Sequence, residues 1–118
     1  MKIAFASTDG KLINQRFEET NGFNIWDIGT DHAQCCGNRN AIISSLFNDE
    51  RNAARASAVA DCSIVCSMDI DPRALAKVVA RHAFHLKTGG EMSITEIVEK
   101  LQAVLQSNPP PWMKKVMG

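Results

Sequence analysis

The spacing of apolar side chains changes several times along the chain. In residues 1–6, Ile3 and Phe5 fall on one side of an extended segment and Ala4 and Ala6 on the other, which predicts a strand. Ser7-Thr8-Asp9-Gly10-Lys11 has Asp-Gly at its centre and predicts a turn. Residues 12–17 alternate Ile13, Gln15 and Phe17 against Leu12, Asn14 and Arg16, which predicts a half-exposed strand paired as a hairpin with the first. A polar stretch from Glu18 to Gly22 turns the chain, and residues 23–28, with Trp26, read as a third strand. The opening is therefore expected to be a three-stranded meander.

A different rhythm holds from Asp49 to Leu86. Asn48-Asp49-Glu50 supplies an amide cap and two acids for a helix start, and alanine-rich residues 53–59 allow that helix to lie close on a sheet. Asp61 is expected to stop it. Residues 62–67 form a short apolar run, read as a buried strand. Asp71 then caps a helix that has Pro72 at its first position. Leu75, Val78, Val79 and His82 follow on one helical face, and Phe84-His85-Leu86 reads as another strand. Strand, crossover helix and strand make a βαβ unit with parallel strands, beyond whose carboxyl ends ligands collect.

The last helix carries the clearest pattern. Ser93 and Glu96 have capping-box spacing, Met92 can staple onto Ile97, and Ile94, Ile97, Val98, Leu101, Val104 and Leu105 form a wide apolar stripe. Asn108-Pro109-Pro110-Pro111 ends the helix and is expected to continue as polyproline, with Trp112 docked on the body and Lys114 and Lys115 solvated. The domain is thus placed at residues 1–107, with a Pro-rich tail at 108–118. Residues 29–48 are left as a long connection, in which the apolar segment 41–47 suits a strand extension or a short helix.

Composition narrows the functional classes. The 118 residues suit one domain with a core, 45% of them are apolar, and 13 basic residues balance 13 acidic ones. That balance gives no electrostatic footprint for duplex nucleic acid. No apolar run is long enough for a membrane span, and no signal peptide is expected. Of the four cysteines, Cys35 and Cys36 are adjacent. Cys62 and Cys66 lie on one predicted strand, roughly 13 Å apart at Cα, too far for a disulfide. A reducing, cytoplasmic setting follows.

The densest group of soft or borderline donors is His32, Cys35 and Cys36, three candidate iron or iron–sulfur ligands within five residues. Cys62, Cys66, Met68 and His85 are better explained as core residues, and His82 by its place near a helix C-terminus.

Met1-Lys2-Ile3-Ala4-Phe5-Ala6-Ser7-Thr8-Asp9-Gly10, followed by Asn14-Gln15-Arg16-Phe17, resembles the opening of the dinitrogenase iron–molybdenum cofactor-binding family, that of NifX, NafY and the NifB C-terminal domain. Residues 49–62 resemble the family's central helix and strand, and Leu101-Gln102 with Pro111-Trp112 its NifX-like close. The resemblance covers nearly all of the chain except residues 29–48. It implies a ribonuclease-H-like α/β fold, with a mixed five-stranded sheet and helices packed on it. It also implies a non-catalytic role: binding and carrying an iron–molybdenum-type cofactor or iron–sulfur precursor among the nitrogenase cofactor-assembly proteins. Members commonly have His-Phe-Gly where this chain has Arg16-Phe17-Glu18, and that histidine is the favoured cluster ligand. Arg16 has no lone pair for a metal but could pair with an anion. Asp69-Ile70-Asp71 replaces a small glycine-rich turn. The resulting expectation is a cofactor site made by Arg16, His32, Cys35 and Cys36, the last three as metal ligands, with the long connection carrying them over the sheet edge toward Arg16. The alternatives are an interaction module without cluster binding and, ranked lower, a magnesium-dependent nuclease using Asp9, Asp69 and Asp71.

Overall fold

A computed structural model describes residues 1–41, 43 and 45–117. In chain order the elements are β1 (Lys2–Ala6), β2 (Leu12–Ile13), β3 (Gly22–Ile28), β4 (Ala33–Asn40), α1 (Asn48–Ala58), β5 (Ile64–Ser67), α2 (Pro72–Ala80), β6 (Phe84–Lys87), β7 (Met92–Ser93), α3 (Ile94–Ser107) and α4 (Pro111–Met117). The main sheet has the order β4-β3-β1-β5-β6. β1 takes the centre because it is apolar on both faces, and Ile3, Ala4, Phe5 and Ala6 are all fully buried. It runs antiparallel to β3 and parallel to β5, and β5 runs parallel to β6. The crossover through α2 therefore has the expected parallel geometry. The radius of gyration, 13.5 Å, is that of one compact domain of this length.

Helices cover both faces of the sheet. On one side Ala4, Ala6, Phe23, Ile25 and Val65 pack against Ala56 and Val59 at the end of α1 and Ala74 and Val78 of α2. On the other, Ile3, Phe5, Ile28 and Ile64 pack against Ile94, Ile97, Val98 and Leu105 of α3 and Met113 of α4. Asp71 caps α2 as expected, accepting the Ala74 N–H at 2.8 Å, and Pro72 opens the helix.

Several local expectations are corrected. Residues 12–17 are not a hairpin partner of β1, whose neighbours are β3 and β5; only Leu12–Ile13 is extended, and it pairs with β7. The alternation has another origin: the segment crosses the carboxyl edge of the sheet, so Ile13 is buried on one face and Phe17 on the other. The long connection contains an eight-residue strand, β4, paired antiparallel to β3. Its sequence hides it, because it covers no core and has no apolar alternation to show. Of the apolar segment 41–47, Ile42 and Ser44 lie outside the described residues. Phe47, not Asn48, is at the cap position of α1, and the helix ends at Ala58, before Asp61.

Further corrections concern the later helices. Cys62 precedes β5 instead of lying on it, though it is buried. His82 is outside α2, in the left-handed region at φ 64°, closing a two-bond C-terminal motif in which His82 N–H meets Val79 O and Ala83 N–H meets Val78 O. Ser93 is at the cap of α3, but its hydroxyl bonds Thr95 Oγ1 at 2.9 Å and Glu96 pairs with Lys100, so the capping box is not formed. Leu101 is only partly buried. Pro111 begins α4 instead of extending a polyproline run, and Trp112 stacks on Phe84 with centroids 4.7 Å apart.

Candidate functional site

β4 is an outer strand, and it carries the thiols. Register with β3 pairs Ile25 with Gly37 but Trp26 with Cys35, so Cys36 is the extra residue of a β-bulge. Gly37 at φ 97° supplies the backbone conformation that this bulge needs. Both thiols are exposed and free, yet their surroundings differ. Cys35 Sγ lies 3.4 Å from the Gly37 N–H and 3.6 Å from the Asn24 side-chain amide. Asn24 is itself buried, donating to Asn38 Oδ1 at 2.9 Å and accepting the Trp26 indole N–H at 2.7 Å. Among the described residues, Cys36 meets only the Gln34 carbonyl, at 3.8 Å. The buried polar network around Cys35 was missed in the sequence, where an asparagine at an inward-facing strand position was the available signal.

His32 sits in the turn before β4. Its ring covers Gly29, where any Cβ would collide with it, and faces Asp31 at 3.2 Å and Asp27 at 3.7 Å. Asp27 also receives the Met1 amino group at 3.0 Å, which holds its carboxyl below the usual range. α3 fixes the turn from above: Gln102 donates to the Gly29 and His32 carbonyls and Gln106 to that of Thr30. At the far end of β4, Arg39 bonds the Ala58 carbonyl at 2.9 Å and Asp61 at 2.6 Å, which pushes Asp61 down to about 2. The outer strand is thus tied to α3 at one end and α1 at the other.

Arg16 lies elsewhere. It follows the Gln15 carbonyl that accepts the Met68 N–H, at the carboxyl ends of β1 and β5. Its Nε bonds Glu18 at 2.8 Å and its Nη1 meets Asp69 at 3.2 Å; these carboxylates, Glu18 first, raise its pKa. Lys87 also faces Asp69, and the Asp71 N–H reaches Glu18. With Glu19 added, three carboxylates partner the two cations here, so neither cation is left free for an anion. His32, by contrast, is beside Met1, and Cys35 is level with Ile3, at the opposite end of β1 and two strands away. The offset is roughly 10 Å across the sheet and a similar distance along it. The fold places Cys35 and Cys36 on β4 with His32 in the turn just before it, and does not bring Arg16 to them. Among the described residues, no three His, Cys, Asp or Glu side chains converge to hold a single metal ion.

The remaining candidates have structural roles. Burial pushes the Cys62 and Cys66 thiols up to about 12, so neither is a ready ligand. His85 Nε2 is 2.6 Å from Ser67 Oγ, which donates onward to the Asp69 carbonyl at 2.9 Å. Asp9 accepts the N–H groups of Lys11 and Leu12, Asp69 that of Ile70, and Asp71 caps α2.

These features define a mixed-sheet α/β domain with an outer, thiol-bearing strand. The same fold occurs in the crystal structure of PH0822, which superposes with a TM-score of 0.67 over 97% of this chain and 99% of that one at 16% identity. The chain belongs to the family described as dinitrogenase iron-molybdenum cofactor, whose profile matches residues 1–104. It is 32% identical to Protein NifY of Azotobacter vinelandii over its whole length, which is 48% of that relative. It is 27% identical to Protein NifX of Herbaspirillum seropedicae, over 99% of this chain and 82% of that one. The chain therefore spans about half of the NifY it matches and most of the NifX. Among the described residues, no helix is long and apolar enough to cross a membrane.

Proposed function

We propose that this protein serves nitrogenase cofactor biosynthesis as a non-catalytic carrier. Its cargo is an iron–molybdenum-type cofactor or an iron–sulfur precursor, taken from and passed to other cofactor-assembly proteins. Family membership and the NifY and NifX relatives support the biological setting. The observation that carries the chemical reading is the pair of exposed, adjacent thiols on a strand tied down at both ends. Thiolates are the preferred donors of iron–sulfur clusters, and a cluster presents several irons, so donors spread along a strand suit it better than a single ion. Cys35 and Cys36, with His32, are the proposed ligands. Arg16 is proposed to add only a weaker, long-range pull on an anionic cargo, because Glu18, Glu19 and Asp69 already partner it.

Anaerobic incubation with an isolated cofactor precursor, followed by gel filtration, tests this. The carrier reading predicts that iron and its visible absorbance co-elute with the protein. Elution of apoprotein alone supports the second reading, an interaction module without cluster binding, which the engagement of Arg16 by Glu18 and Asp69 favours.

A further inference from the structure

The second outer strand of the sheet, β6, lies far from the thiols. We infer that its free edge, with the groove beside it, docks an extended, acidic segment of a partner protein that carries a large apolar side chain. The proposal is independent of cargo binding.

The main chain makes the first part of the case. Phe84 N–H bonds the Ser63 carbonyl at 2.9 Å and Thr88 N–H the Ser67 carbonyl at 3.0 Å, so these alternate residues point into the sheet. The N–H and C=O groups of His85 and Lys87 therefore point outward, and an added strand can bond them.

Side chains make the second part. A groove of about 590 Å³ opens between α2 and α4 at the start of β6, lined by Val79, His82, Phe84, Trp112 and Lys115. Val79 is 55% and Phe84 47% exposed, and Phe84 is stacked on Trp112 at 4.7 Å. A packed aromatic pair beside an exposed valine is a rigid apolar floor of the kind that anchors a partner side chain.

Charge selects the occupant. Lys115 stands at the groove, none of its lining residues is acidic, and α4 carries Lys114 and Lys115 with no acidic residue. Lys87, at the far end of the strand, is already paired with Asp69 at 3.7 Å, so the selecting charge is that of Lys114 and Lys115. A second copy of this chain brings no acidic residue on β6 or α4 to meet Lys115, whereas an acidic strand meets it with opposite charge.

The test uses the full chain, labelled with nitrogen-15, and an acetylated hexapeptide that alternates glutamate with valine, phenylalanine and valine. Binding should shift the His85 and Lys87 amides and the Trp112 indole. A peptide with lysine for glutamate, or one N-methylated at alternate amides, should not bind. Lys115→Glu should weaken binding by roughly tenfold, the scale of one lost rim charge with a new repulsion. Trp112→Ala should also weaken it, and Lys115→Glu keeps the test meaningful should that variant unfold. Absence of these shifts at millimolar peptide, equal binding of the lysine peptide, or self-association of the chain through β6 would overturn the proposal.

Discussion

Two adjacent cysteines on one strand have different surroundings, because a bulge and a buried asparagine serve only one of them. Cys35 has two N–H donors at its sulfur; Cys36 has none among the described residues. Their identity as soft donors was readable from the sequence, but their inequivalence was not, since it depends on where Asn24 and the bulge fall across the sheet. His85 is a second case in which the surroundings decide. Ser67 spends its proton on the Asp69 carbonyl, so His85 Nε2 is the donor to Ser67 Oγ. Burial lowers the imidazole pKa below its ordinary 6.5, against the opposing pull of Asp69 and Glu18. The unfolded chain therefore takes up this proton first, so the contribution is full above pH 6.5 and declines as pH falls below it. Denaturant midpoints measured between pH 7 and 5 should fall more steeply for wild type than for His85→Gln; parallel profiles would show that His85 is not the group responsible.

At the scale of elements, α1, α2 and α3 were legible, and β4 was not. Helices and buried strands announce themselves through the faces they bury. β4 buries none, and main-chain pairing with β3 holds it in place. The α3 stripe also overstated one member. Ile97 is 7% exposed, while Leu101 lies nearer the rim and only partly buried. Ile97→Ala should cost about 2–5 kcal/mol, and Leu101→Ala distinctly less, by urea denaturation. Equal costs would place Leu101 in the core after all. The far end of β4 depends on Arg39 and Asp61. Because the Asp61 pKa is depressed to about 2, its stabilisation is present above the ordinary carboxylate value of 3.8 and is lost as pH falls from there through 2. The pair is half exposed, so the effect is about 1 kcal/mol at most. Hydrogen exchange should show β4 amides opening faster in Asp61→Asn at neutral pH, and unchanged protection would remove this tie from the account.

At the scale of the whole molecule, the order of strands decides which residues can share a site. Arg16 and the His32–Cys36 group seemed joinable while residues 29–48 were a flexible connection. Once that stretch is an antiparallel outer strand, its thiols are level with the start of β1 and Arg16 stands beyond its end. Family membership was legible because the opening strand and the central helix and strand carry it. The distance between candidate ligands was not, because it is a property of the sheet. The central claim is that cargo is held by the thiols of β4, and its most direct measurement is cluster uptake. Wild type, Cys35→Ser/Cys36→Ser and Cys62→Ser should be incubated anaerobically with the same cofactor precursor, and iron per chain measured after gel filtration. The account predicts iron retained by wild type and by folded Cys62→Ser, and most of it lost from the double variant with its fold intact. Iron retained equally by the double variant would contradict it.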